Sequence, residues 1–72
     1  MFVKVKYYKS IGGYQGREYY YETDLDLKRG DCVIAPTKNE AQQKGLVTEI
    51  NLPDPGFPCR RITEFDPEVR LI

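Results

Sequence analysis

The sequence predicts a mainly β protein, a small antiparallel open barrel of five to six strands with at most one short helical turn. Its 72 residues include six Tyr, three Phe, six Gly and five Pro, a composition typical of short strands joined by turns. Polar and apolar residues alternate over Phe2–Lys9, which is the period of a strand with one wet face. No segment predicts the crossover helix that parallel strands usually need. A chain of this length, residues 1–72, is expected to form one domain.

The first part of the sequence predicts a β-hairpin. Strand one is predicted at Phe2–Lys9 and strand two near Arg17–Glu22, where alternation places Tyr20 on the face opposite its two tyrosine neighbours. Between them, Ser10–Gly16 is predicted to be a flexible loop with positive-φ glycines. A phosphate-binding loop is the alternative for these glycines, but such a loop opens a helix after a parallel strand. The hairpin is therefore favoured.

The middle of the sequence predicts a turn and then a short central strand. Asp24–Asp31 contains two leucines that are expected to enter the core, and Gly30 is expected to adopt the left-handed conformation of a turn. The apolar run Cys32–Ala35 is predicted to be strand three. Pro36 is expected to end it.

A capping box predicts the only helical turn of the chain. The Thr37 hydroxyl and the Glu40 carboxylate are spaced to cap each other's backbone amides, so one or two helical turns through Gln43 are predicted. The remaining predicted elements are strand four at Gly45–Ile50, an irregular proline-rich excursion at Asn51–Pro58, and one or two final strands within Arg60–Phe65 with a continuation through Val69–Ile72.

Charge and hydropathy exclude several classes of protein. Eleven basic residues balance eleven acidic ones, which argues against a protein that coats nucleic acid through its overall charge. No apolar run approaches the roughly 18 residues that a membrane span needs. The N-terminal sequence also lacks the apolar core of a secretion signal. A cytoplasmic protein without a membrane partner is therefore expected.

The residue types present predict neither an enzyme nor a cofactor or metal site. General acid–base catalysis near neutral pH most often uses His, and the sequence contains none. The two cysteines, Cys32 and Cys59, provide too few ligands for a zinc site. Both are expected to be reduced, with Cys32 packed as a small hydrophobic residue.

Two weaker alternatives for chemistry remain in the sequence. Cys59 could be reactive if the adjacent Arg60 and Arg61 lower the pKa of its thiol. The acidic residues within Asp24–Asp31 could bind a cation, but their spacing does not match a calcium loop and leucines alternate with them. Solvated turn acids are the favoured interpretation.

A combination of aromatic and basic residues predicts possible contact with nucleic acid. Aromatic rings stack on bases, and neighbouring Arg or Lys side chains bind phosphate. The alternative is that these tyrosines pack at the rim of a small barrel and the lysines serve solubility. The candidates are Tyr14 on the glycine loop, Tyr20 and its neighbours on strand two, Lys4 and Lys6 on the wet face of strand one, and Arg60 with Arg61 near the final strand.

An ordered series of motifs resembles a known family more than any single motif does. The series extends from strand one to Phe65, nearly the whole chain. It comprises Tyr19-Tyr20-Tyr21, then Leu25 and Leu27, then Lys28–Pro36, an eight-residue insert, Gly45–Ile50, and Arg60-Arg61-Ile62. In order and approximate spacing it resembles the N-terminal 3′-end DNA-binding domain of the bacterial primosomal replication-restart helicase PriA, also called primosomal protein N′.

The resemblance implies a minimal barrel that holds the 3′ end of a nascent DNA strand in a shallow pocket during replication restart. By position, the acidic residue of that pocket falls on Glu18, its aromatic neighbour on Tyr19 and its basic residue on Arg60. Tyr14 and Arg61 complete the candidate nucleic-acid-binding set. Because no helicase motor is present, the resemblance implies a chain that binds DNA without hydrolysing ATP.

Protein interaction is the competing hypothesis. A small barrel with exposed tyrosines and an open sheet edge can add a peptide strand or dock on a flat partner. A place in a larger assembly is a related alternative, because the hydrophobic core of so small a chain is thin. Neutral net charge favours these alternatives over nucleic acid.

Overall fold

The computed structural model describes residues 1–9, 11–38 and 41–67, and it confirms the mainly β class. These ranges contain six strands: β1 at Phe2–Lys9, β2 at Gly13–Thr23, β3 at Cys32–Pro36, β4 at Gln42–Leu52, β5 at Arg61–Ile62 and β6 at Glu64–Phe65. They form one sheet in the order β5-β2-β1-β4-β3-β6. Within the described part of the chain, no helix has the length and apolar character that a bilayer span requires.

The sheet is mixed, which corrects the prediction that all strands pair antiparallel. β1 pairs antiparallel with β2 and β4, and β3 pairs antiparallel with β4 and β6. β5, however, runs parallel to β2, with Glu22 opposite Arg61 and Thr23 opposite Ile62. No crossover helix is needed, because the β3–β4 hairpin and the residues that follow it return the chain in the required direction.

One short segment, residues 61–65, contacts both edges of the sheet. Its first half, β5, pairs with β2, and its second half, β6, pairs with β3. Thr63 lies between the two halves. Since β5 and β6 are the two ends of the strand order, the segment lies across the gap between the edges. The sheet therefore curls into an open barrel that no single strand pair closes.

The predicted helical turn after strand three is wrong. Gln42 and Gln43 belong to β4, where they pair with Pro36 and Ala35. The amide and hydroxyl of Thr37 both donate to the carbonyl of Ala41, at 2.9 and 3.1 Å. Strand pairing thus takes the place of a helix through Gln43, because the pairing of β3 with β4 satisfies the backbone groups of Gln42 and Gln43. Glu40, the other half of the predicted capping box, lies outside the described residues.

Several strand boundaries also differ from the predictions. β2 begins at Gly13 rather than Arg17, and β4 extends over Gln42–Leu52. Gly16 can lie within β2 at φ +93° because it has no side chain, and here three residues of β2 oppose the single Tyr7 of β1. The predicted irregular segment is correct from Pro53 onward. The predicted continuation of the last strand lies outside the described residues.

The core consists of one face of each long strand. The fully buried hydrophobic residues are Val3, Val5, Tyr21, Leu27, Val33, Ala35, Val47 and Ile62. The alternation predicted for strand one is confirmed, since Val3 and Val5 are buried and the lysines that follow each of them are not. Of the two leucines expected in the core, Leu27 is buried and Leu25 packs against its margin.

The predicted turn before β3 is confirmed. Gly30 has φ +95°, and its amide donates to the carbonyl of Val47 at 2.8 Å. The Asp31 carboxylate accepts the amide of Lys28 at 2.9 Å. Asp31 is therefore a turn residue, as the favoured interpretation of this acidic segment held.

We predict that Gly45→Ala destabilises the fold by about 1–3 kcal/mol, because a Cβ at this buried position would overlap Cγ1 of Val5. Val5 is β-branched and fully buried, so it cannot rotate away at low cost. Urea denaturation of the variant measures the change.

Val5→Ala provides the matched background for this measurement. The additional cost of Gly45→Ala should fall in that background, because the overlapping methyl group is gone. An equal cost in both backgrounds would contradict the packing argument.

Candidate functional site

Two adjoining grooves occur at the end of the barrel where β1 ends and β3 turns into β4. The first, here called the edge groove, lies between β2 and residues 57–60 and has a volume of about 390 Å³. The second, here called the mouth groove, opens over the barrel end and has a volume of about 570 Å³. Both grooves are lined by Tyr7, Arg17, Tyr19 and Arg60. They form one continuous surface.

A hydrogen-bond chain holds the inner wall of these grooves. The buried Tyr21 hydroxyl donates to the carbonyl of Pro36 at 2.7 Å, and it also bonds to the hydroxyl of Tyr7. Because a tyrosine hydroxyl has a single proton, Tyr7 is the donor in the second bond. The chain ties the ends of three strands together and fixes the position of the Tyr7 ring.

The fixed Tyr7 ring supports the aromatic group that faces solvent. Tyr19 stacks on Tyr7 with ring centroids 4.7 Å apart and planes 15° apart. Tyr19 itself remains 40% exposed to solvent. One face of its ring is therefore packed against protein, whereas the groove side is open to a planar ligand.

A different aromatic pair forms the outer part of the edge groove. Phe57 meets Tyr20 edge to face, with centroids 5.7 Å apart, and is 54% exposed. The Lys4 ammonium lies 5.2 Å from the Tyr20 ring centroid and 3.4 Å from the Glu49 carboxylate. Tyr20, whose environment the sequence left open, thus packs in a second layer outside the core.

The mouth groove is locally basic although the chain as a whole is neutral. Its charged lining residues are Arg17, Lys38 and Arg60, without an acidic residue among the described side chains that line it. Glu18 lies in the adjoining edge groove. The surface therefore combines cations, an open aromatic face and one carboxylate at its border.

Three of the five candidate residues come together here. Glu18, Tyr19 and Arg60 line the edge groove, and the last two also line the mouth groove. They are brought together because residues 57–60 run beside β2 before β5 pairs with it. The structure thus places the acidic, aromatic and basic residues of the predicted pocket on one groove.

Tyr14 lies elsewhere and is not the exposed loop ring that the sequence predicts. It belongs to β2, is half-buried, and contacts Tyr8 edge to face at 5.2 Å. Its hydroxyl donates to Sγ of Cys32 at 3.5 Å. This hydrogen bond, with burial as the second cause, raises the pKa of Tyr14 to about 12. The strand extends further than predicted, which draws the ring onto the sheet.

Arg61 also lies outside the two grooves, and its charge is compensated. Its guanidinium donates to Asp24 at 2.7 Å and lies 3.6 Å from Glu22. Arg60 and Arg61 are adjacent in sequence, but they are on opposite sides of the extended chain. Only Arg60 faces the aromatic surface.

Four residues of this surface are not among the site residues that the sequence predicts, namely Tyr7, Arg17, Lys38 and Phe57. Tyr7 lies at the barrel end and packs against the margin of the core. The signal for Phe57 was present, since an aromatic residue between Gly and Pro in an irregular segment has no strand to bury it.

Cys59 does not match the hypothesis of a reactive thiol. Burial raises the pKa of its thiol, as do the nearby carboxylates of Asp54 and Glu22. Its Sγ contacts the carbonyl of Phe57 at 3.6 Å. Cys32 and Cys59 are both free. Among residues 1–9, 11–38 and 41–67, no group of three or more potential ligands could hold a metal ion.

Comparison with known proteins adds no relative. No family model, no curated protein and no solved structure matches this chain. The resemblance to the PriA domain therefore stays a prediction.

The raised pKa values of two tyrosines predict a loss of stability at alkaline pH. Burial raises the pKa of Tyr21 above the ordinary value of 10.0. The unfolded chain releases this proton near pH 10 while the folded chain keeps it, so the free energy of unfolding should fall as pH rises beyond about 10. Tyr14 adds to the fall up to about pH 12.

Urea unfolding at a series of pH values from about 8 to 11 measures this effect. Tyr21→Phe should lower the stability at neutral pH, because the Pro36 carbonyl loses its donor, yet show a smaller further fall at alkaline pH. A wild-type stability that stays constant or rises from pH 9 to 11 would contradict the argument.

Proposed function

We propose that this protein is a non-enzymatic module that binds single-stranded DNA, including 3′ strand ends, along the two grooves. The observation that supports the proposal best is the Tyr19 ring, which is stacked on Tyr7, open on the groove side and flanked by Arg17 and Arg60. The order of motifs that resembles the PriA domain points in the same direction.

The chemistry of the surface suits a single strand better than a duplex. A base can stack on the open face of Tyr19, an interaction worth about 1–3 kcal/mol per base. Arg17, Lys38 and Arg60 can bind the flanking phosphates. These cations are local, so the neutral net charge of the chain does not oppose the contact.

Glu18 gives the proposed site a means to select the strand end. Its carboxylate lines the edge groove next to Tyr19 and Arg60. A carboxylate accepts a hydrogen bond from a sugar hydroxyl and repels a phosphate. A strand that ends in a 3′-hydroxyl is therefore preferred over one that ends in a 3′-phosphate.

The proposed role is binding alone. The sequence contains no His, the group that most often transfers protons near neutral pH. The Cys59 thiol, which borders the edge groove, has a raised pKa and is mostly protonated at neutral pH. The aromatic and basic residues suffice for recognition without a reaction step.

We predict that Tyr19→Ala weakens binding of a short single-stranded oligonucleotide by about 5- to 150-fold, the equivalent of one lost stacking interaction. Fluorescence anisotropy measures the affinity. Arg60→Ala should weaken binding as well and reduce the slope of log affinity against log salt by about 0.7, the value for one phosphate contact on a single strand.

Two residues provide matched controls for these variants. Tyr8 is as exposed as Tyr19, at 41% against 40%, but it does not line either groove, so Tyr8→Ala should leave the affinity unchanged. Arg61 is paired with Asp24, so Arg61→Ala should leave the salt slope unchanged. Equal effects of the groove and control variants would refute the assignment of the site.

We further predict that an oligonucleotide with a 3′-hydroxyl binds about fivefold more tightly than its 3′-phosphate twin, the effect of about 1 kcal/mol of repulsion between exposed charges. Anisotropy at about 50 and 200 mM salt measures both affinities. Glu18→Gln should bind the two ends equally, because it removes the charge and keeps the shape. A preference that survives in Glu18→Gln would show that another group selects the end.

A further inference from the structure

Among the described residues, no strand pairs with most of the outer edge of β2. β5 covers only Glu22 and Thr23, at the end of an eleven-residue strand. Beyond that point, residues 57–60 diverge from β2 and leave the edge groove between them. The sheet edge along Glu18–Tyr20 is therefore open.

The hydrogen bonds at the end of β2 show which backbone groups point into this groove. The amide of Glu22 donates outward to the carbonyl of Arg60, and the amide of Thr23 donates inward to the carbonyl of Met1, both at 2.9 Å. Backbone groups alternate in direction along a strand. The N–H and C=O groups of Tyr20 and Glu18 therefore point away from β1. Among the described residues they have no backbone partner.

The length of the open edge fits a short extended segment. At about 3.3 Å per residue, the stretch from Glu18 to Tyr20 spans about 7 Å, which pairs with a segment of a few residues. Residues 57–60 stand on the far side of the groove. They would collide with the second and third strands of a folded sheet, so a flexible peptide fits better than the edge of another domain.

The two sides of the groove present different chemistry to the side chains of such a peptide. Arg17, Tyr19 and Arg60 lie on the side that continues into the mouth groove. Tyr20, the exposed Phe57 and, by alternation along β2, Glu18 lie on the other side, which therefore disfavours acidic side chains. Because side chains of a strand alternate between its two faces, a peptide in which acidic and apolar residues alternate is complementary to both sides.

We propose that the open edge of β2 binds an extended peptide segment of a partner protein, in which acidic residues alternate with apolar ones. The peptide adds a strand beside Glu18–Tyr20 and continues the position that β5 occupies further along the edge. Its acidic side chains meet Arg17 and Arg60, and its apolar side chains pack on Tyr20 and Phe57. This interaction goes beyond DNA binding and does not depend on it.

A capped peptide of about six residues that alternates Glu and Val is the probe. Fluorescence anisotropy measures its affinity for the full chain, and amide hydrogen exchange monitored by NMR measures protection. We expect the amides of Glu18 and Tyr20 to become protected, whereas the same peptide with Lys in place of Glu binds at least about tenfold more weakly.

N-methylation of single peptide residues tests the strand pairing directly. Because alternate amides of an added strand face β2, methylation should weaken binding by about tenfold or more at every second position and have little effect at the positions between. This measurement leaves the protein unchanged, so it does not depend on how a variant folds.

Glu18→Pro removes the outward amide of the protein, and Glu18→Ala retains it and removes only the carboxylate. Proline is tolerated on edge strands where the N–H faces solvent. We expect the peptide to bind Glu18→Ala and to lose affinity for a folded Glu18→Pro. Uniform effects of N-methylation around the peptide would overturn the proposal. It would also be overturned if the amides of Glu18 and Tyr20 were protected by a single-stranded oligonucleotide and not by the peptide.

Discussion

The structure depends on the pairing of residues 61–65 with both edges of the sheet. Ile62 is buried, and the hydroxyl of the equally buried Thr23 donates to its carbonyl at 2.8 Å. This contact holds β5 against β2. The chain then continues into β6, which pairs with β3. Without this contact, the sheet formed by β2–β1–β4–β3 would expose its apolar face, because no second layer of described residues covers that face. The same contact places residues 57–60 beside β2 and so creates the edge groove.

A second constraint acts at the barrel end, where three consecutive tyrosines have three different roles. Tyr21 is buried and must satisfy its hydroxyl, which it does by donating to Pro36 and accepting from Tyr7. The bond orients Tyr7, and Tyr7 supports the exposed Tyr19. Tyr20 points to the opposite face and packs with Phe57. The need to satisfy the buried Tyr21 hydroxyl thus fixes the Tyr7 ring that supports Tyr19. Because Tyr7 is already fixed, it loses no further conformational freedom when a ligand stacks on Tyr19.

The strands were predictable from the sequence where the local residue pattern and the tertiary structure favour the same conformation. Alternation located β1, and an apolar run ended by proline located β3, because each strand buries one side against the core. The helical turn after Pro36 was wrong because a capping box is a local preference, and pairing of Gln42 and Gln43 with β3 outweighs it. For the candidate site, the structure brings Glu18, Tyr19 and Arg60 together in one groove. Tyr14 and Arg61 lie elsewhere, since their positions depend on where β2 begins and on the side of the extended chain from which each arginine side chain projects.

The sequence by itself determined the class of the protein: short strands, tight turns and a small hydrophobic core, all of which follow from composition and residue period. Only the tertiary structure decided that β5 runs parallel to β2, that residues 61–65 connect the two edges, and that Arg17, Lys38 and Arg60 converge on Tyr19. The physical reason is that these features join residues distant along the chain. Local propensity acts over a few residues, whereas the partner of a sheet edge is chosen by which distant segment can bury its side chains and satisfy its backbone groups there.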